Sequence, residues 1–347
     1  MTSPAAEHPP PTTSFGQTVR NAHFYYELVM AVISYALNFL LLWLVIKKSP
    51  KSMKSYRTII LLSCAVDLVF ITLNLICMGL VDMHDGRMFM FSGGVFEDFD
   101  HPVPVIMIGI WLFGVNLTVV NIPMEFLFRY SVFCRATPLK RWQFAALYGA
   151  FIVWITLHSI GFAVCFITGE RSKEFASILQ KNPIYDNVRF FIVGDSENLW
   201  GHLHMMDIQL LVFVSYGIVV FTFRQISKKL KESREHLSAS TLAAQSQLTR
   251  IMILQALVPF FVLAMPILLA VMSTIVHANN PMIGFFLACT VAFIPVFNSC
   301  CVIVVIPSYR RALFGGQNKL ADGTTNGGVH TDGQQSAVGG ITHESND

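Results

Sequence analysis

Residues 24–46 read FYYELVMAVISYALNFLLLWLVI, and residues 47–57 follow as KKSPKSMKSYR. The first stretch is apolar almost throughout. A helix of about 20 apolar residues is long enough to cross a hydrocarbon core of about 30 Å. The second stretch switches abruptly to Lys47, Lys48, Lys51, Lys54 and Arg57. Basic residues collect on the cytoplasmic flank of a membrane helix. The pair of stretches therefore predicts a membrane span that enters from outside and ends inside.

Six more runs of the same kind follow: Thr58–Val81, Pro104–Phe128, Gln143–Thr168, Met205–Phe223, Ile251–Val276 and Met282–Ile306. The composition agrees, with 54% hydrophobic and 13% charged residues in 347, where soluble domains carry about 25% charge. Barrel strands would be about 10 residues long and would alternate, so the uninterrupted runs point to helices. The expected fold class is an all-α membrane protein, a bundle of seven transmembrane helices. Residues 1–23 are expected as an extracellular tail, 24–314 as the membrane domain and 315–347 as a disordered cytoplasmic tail rich in Gly, Asn, Ser and Thr. The first twenty residues have no basic region followed by an apolar core, so span one is expected to act as its own targeting signal.

The remaining basic residues repeat the asymmetry of the first loop. Arg129, Arg135, Lys140 and Arg141 follow span three. Arg224, Lys228, Lys229, Lys231, Arg234 and Arg250 follow span five, and Arg310, Arg311 and Lys319 follow span seven. Eighteen of the 24 basic residues thus fall on one side, against Arg20, Arg87, Arg171, Lys173, Lys181 and Arg189 on the other. This puts the N-terminus outside and the C-terminus in the cytoplasm. The third inner loop, with Lys228–Glu232 and Lys231–Glu235 four residues apart, reads as a helical extension of spans five and six. Its serines and threonines are candidates for phosphorylation, beside the plainer reading of a solvated charged helix.

Ionisable groups inside a membrane are costly, so each is a candidate functional residue. Asp67 lies near the middle of span two, as a buried switch or as a carboxylate bonded between helices. Glu125 and Arg129 stand one helical turn apart at the inner end of span three, where they can pair. His158 in span four reads first as a hydrogen-bonded core histidine. Asp207 begins span five near the outer surface. Asn116, His158 and Asp207 are polar groups reachable from outside, and so candidates for ligand contact. Pro259 and Pro266 in span six each remove a helix hydrogen bond and offer a point of bending. The seven cysteines read as small apolar filler, with a bridge between Cys77 and Cys165 left open. His202 and His204, two apart on one helix, do not face together.

Motifs for catalysis, metal binding and phosphate binding are missing, so no enzyme activity, metal or cofactor is expected. The basic residues form a belt flanking the membrane, which gives nucleic acid no support as a partner. Span seven has no lysine for a retinal Schiff base. The first and last three spans show no repeat, which weighs against a transporter of repeated halves.

Four segments in order add a resemblance. Ser49-Pro50-Lys51 with Tyr56-Arg57 follows span one, and Phe128-Arg129-Tyr130 ends span three. Gln245-Ser246-Gln247-Leu248 with Gln255, Pro259 and Pro266 enters span six, and Tyr309-Arg310-Arg311-Ala312 follows span seven. Together they resemble the inner-end motifs of the nematode serpentine chemoreceptors of the Str superfamily. The resemblance implies an olfactory-type G-protein-coupled receptor in the plasma membrane of sensory-neuron cilia. Its partners would be a small-molecule ligand, a heterotrimeric G protein and the lipid bilayer, with a kinase and an arrestin at the tail. Arg129, Tyr130, Lys228, Lys229 and Lys231 would then meet the G protein, while Asp67, Glu125, Pro259 and Pro266 would serve the conformational switch. Phe128 stands where related receptors carry an acid before the arginine. The competing expectations are a seven-span solute transporter and a ligand-gated channel.

Overall fold

The computed structural model describes residues 15–49, 56–96, 99–135, 137–185, 188–233, 239–278 and 281–315. Residues 1–14 of the outer tail, most of the SPKSMKS motif, Glu235 and the tail beyond residue 315 lie outside the described residues, while residues 15–23 form the first turns of the first helix.

The apolar runs form helices α1 (Phe15–Lys48), α2 (Arg57–Cys77), α3 (Val103–Cys134), α4 (Arg141–Cys165) and α5 (Leu199–Glu232). Span six is α6 (Ala239–Pro259), a π turn over Phe260–Ala264, and α7 (Met265–Ile275). Span seven is α8 (Pro281–Val291) and α9 (Phe293–Val305), bent by 41° between them. A short helix, α10 (Pro307–Phe314), follows. Among the described residues six helices are long and apolar enough to cross a membrane, and the bent pair, counted as one span, makes a seventh. Large apolar side chains such as Val32, Leu157, Val164 and Phe213 point outward, as a bundle solvated by lipid requires.

Each break has a cause in the chain. Pro295 has no N–H for the Val291 carbonyl, and the span-seven helix bends there. Pro266 likewise leaves the Val262 carbonyl without its helix donor. The Thr290 hydroxyl of α8 donates to that carbonyl at 2.7 Å, so the π turn in span six is braced by span seven.

The outer end carries strands that the apolar pattern did not predict. Span two stops at Cys77, and Gly79–Val81, expected as its last turn, begins strand β1 (Gly79–His84). Met78 takes a left-handed conformation and ends the helix. β1 pairs antiparallel with β2 (Arg87–Ser92), and β3 (Ile192–Asp195), from the loop after span four, adds to β2. Asp85 and Gly86 make the two-residue turn with φ of 49° and 73°, which suits the twist of a hairpin. Val81, Met83, Met88 and Met90 face down onto the helix core, while Leu80, Phe89 and Phe91 face up into Leu179, Tyr185 and Phe191. The sheet is a cap buried on both faces. Gly284 of α8 lies so close under it that a β-carbon there would run into the Val81 carbonyl. All seven cysteines are free, Cys77 and Cys165 included.

Candidate functional site

The candidate residues gather in two polar regions inside the bundle, one near each end. At the inner end Arg129 is 1% exposed. Its guanidinium donates to the Gln245 carbonyl at 2.8 Å and to the Thr249 hydroxyl at 2.6 Å. It also lies 3.4 Å from Gln245 Oε1 and 3.3 Å from the Met252 sulfur. All four acceptors belong to α6. Hydrogen bonds from a charged group are the strong ones, so Arg129 ties span three to span six. Tyr56 joins the tie, with its hydroxyl near the Gln245 side chain.

The expected Glu125–Arg129 pair does not form. Glu125 instead accepts from Asn121 at 2.7 Å and bonds to Ser63 of α2. The spacing allows the pair, but Arg129 finds its acceptors across the bundle on α6. Asp67 is buried and accepts from Asn298 of span seven at 3.1 Å. Asp67, Glu125, Asn298 and Arg129 line one inner cavity of about 30 Å³. The structure thus brings the switch candidates together, with amides rather than cations beside the carboxylates. Pro259 borders an adjoining cavity, and Pro266 sits about two turns further out. Tyr130 is half-buried against Phe221, while Lys228, Lys229 and Lys231 are exposed at the inner end of α5. Lys228 lies 4.0 Å from Glu232.

The outer region lies under the cap. His158 Nδ1 is 2.8 Å from Asp207 Oδ2, and the Trp154 indole donates to the other carboxylate oxygen at 3.0 Å. Asp207 lies two turns inside α5, not at its start, because the helix begins at Leu199. His204 stacks on His158 with ring centroids 4.1 Å apart. Spacing along one helix had set His204 aside; its partner is on another. Asn116, His158 and His204 line a cavity of about 70 Å³ with Trp111, Met88, Met90 and residues of α7. Asp207 stands behind His158 and is not part of the lining.

A third polar chain also escaped the sequence reading. Glu27 of α1 is 3% exposed, lies 3.4 Å from His23 and accepts from Asn74 at 2.7 Å. Asn74 in turn accepts from the Trp111 indole at 2.9 Å, on the wall of the outer cavity. Glu27 falls under the same rule that singled out Asp67, which was the signal available for it. Among the described residues no group of three or more His, Cys, Asp or Glu side chains is arranged to hold a metal.

Residues 23–315 match the family model of the serpentine type 7TM GPCR chemoreceptor Srd. The crystal structure of squid rhodopsin aligns with a TM-score of 0.54 at 12% identity, covering 92% of each chain. That likeness concerns the fold alone. No curated protein matches the sequence.

Proposed function

The chain belongs to the serpentine Srd family of seven-transmembrane chemoreceptors, and on that premise we propose that it is a G-protein-coupled chemosensory receptor for a small environmental chemical. The ligand binds in the outer cavity, and the basic inner face activates a heterotrimeric G protein. The family is a receptor family and not an enzyme class. The matched family is a sibling of the Str grouping that the inner-end motifs suggested; membership of Str itself belongs to the proposal. So do residence in the plasma membrane of sensory cilia, and a kinase and an arrestin acting at the tail.

One observation carries the reading: a single span, interrupted by a π turn, touches both polar regions. Ile267, Ala270 and Val271 of α7 line the outer cavity. Gln245, Thr249 and Met252 of α6 hold Arg129. Pro259, the π turn and Pro266 lie between them, and π turns often mark functional positions. A ligand shifts such an equilibrium only by binding one arrangement more tightly. Wedging α7 outward does this when it releases Arg129 from α6 and exposes it beside Lys228, Lys229 and Lys231. In this reading the arrangement with Arg129 buried is the closed one.

The test is a panel of small volatile chemicals applied to cells expressing the chain, with calcium and cyclic-nucleotide readouts, with and without a co-expressed G protein. A response that requires the G protein is expected. Solute flux or ionic current in its absence would favour a transporter or a channel and overturn the proposal.

A further inference from the structure

The lining of the outer cavity restricts what it can hold. A single buried water needs about 10–15 Å³ by the same kind of measure, so about 70 Å³ admits only a handful of heavy atoms. None of the lining residues is Lys, Arg, Asp or Glu. A charged guest would leave water and meet two imidazoles but no carboxylate, ammonium or guanidinium on the wall, a heavy penalty. The roof excludes it as well, because Val81, Met88 and Met90 of the cap are buried apolar side chains. Met88, Met90 and Met205 supply soft, unbranched walls that adapt to an irregular hydrocarbon.

The polar groups are few: Asn116, the Trp111 indole and the imidazoles of His158 and His204, which stack on each other. The Trp111 indole is spent on Asn74, and His158 Nδ1 on Asp207. Asn116 differs. It is 1% exposed, and its Nδ2 has no hydrogen-bond partner. A buried donor left unpaired costs stability, and this one belongs to a cavity-lining residue.

We propose that the outer cavity takes a small, uncharged molecule with one hydrogen-bond acceptor, of the ketone, ester or ether class. Its oxygen accepts from Asn116 Nδ2, and its hydrocarbon part packs against the methionines. This rests on the reading of the outer cavity as the ligand site and adds the chemical class of the ligand.

The experiment uses the full chain in lipid nanodiscs and saturation-transfer NMR, with empty nanodiscs subtracted. The probes are methyl propyl ketone, pentanoate and pentylammonium. Saturable binding is expected for the ketone and not for either ion. Asn116→Leu removes the donor at similar side-chain size. It should weaken ketone binding about tenfold, the factor carried by one hydrogen bond, without lowering the unfolding temperature. Val115→Phe should fill the cavity and abolish binding. Absence of ketone binding, binding of an ion as tight as that of the ketone, or indifference of the ketone to Asn116→Leu would overturn the chemical class. If an ion binds and Val115→Phe removes it, the cavity stands as the site and only the class falls. If the binding of no probe responds to Val115→Phe, the cavity falls with it.

Discussion

Arg129 spends its hydrogen bonds on a helix that begins more than a hundred residues later in the chain, and no pattern in the sequence names those partners. What was legible was its cost. A cation at the inner end of a membrane span needs a partner, and the nearest acid in sequence, Glu125, was the natural candidate. Glu125 is satisfied by Asn121 instead, and Arg129 by Gln245 and Thr249. The tie can therefore be weakened without touching a charge. Thr249→Val removes the 2.6 Å bond. Hydrogen bonds to charged groups are worth about 1.5–3 kcal/mol, so the closed arrangement should lose about tenfold or more in population relative to the open one. Raised ligand-free G-protein activation at equal surface expression is the expected outcome; basal activity at or below that of the unmodified chain would show that the tie is not a restraint. His204 and Glu27 mark the limits of reading one residue at a time. His204 gains its partner only when α4 and α5 pack together, whereas Glu27 was within reach of the cost rule.

At the scale of elements, the apolar runs and prolines carried most of the information. Pro266 and Pro295 mark where spans six and seven deviate, because a missing N–H is a local fact. How the chain repairs the loss is not local. The Thr290 hydroxyl serves the Val262 carbonyl that Pro266 leaves open. Thr290→Val should lower stability by about 1–3 kcal/mol, the cost of an unpaired buried carbonyl. Pro266→Ala restores the backbone donor, so Thr290→Val should cost much less in that background. Thermal unfolding of the four proteins measures the coupling; equal costs in both backgrounds would refute the brace. The cap was missed for a different reason. Gly79–Val81 is apolar enough to read as the end of span two, and Met83, Met88 and Met90 fall in the outer loop beyond it. Asp85-Gly86 between them is nevertheless among the strongest short hairpin signals and was the available clue. The third strand pairs across more than a hundred residues, and nothing local announces it.

Across the whole molecule, hydropathy supplied the helices and the basic residues supplied the direction. The cap adds a pH dependence to that frame. Asp82 is fully buried in β1, with Asn182 its partner at 3.4 Å and its other oxygen unpaired. Burial pushes its carboxyl up to about 6, with the Asn182 contact and a backbone bond opposing. The protonated form is favoured in the folded cap. Its contribution is fully present below the ordinary value of 3.8 and is lost as pH rises through about 6. Asp82→Asn should flatten the pH dependence of thermal stability across that window and raise stability at neutral pH. A slope in the variant equal to that of the unmodified chain would contradict this. The two ends of the bundle meet in function only if the outer cavity and the Arg129 tie bias the same motion of span six. The most direct measurement is heterotrimer dissociation in cells exposed to an activating chemical, comparing the unmodified chain with Arg129→Ala at matched surface expression. Receptor action through Arg129 predicts a response in the former and its loss in the latter. Undiminished G-protein activation by Arg129→Ala would contradict it.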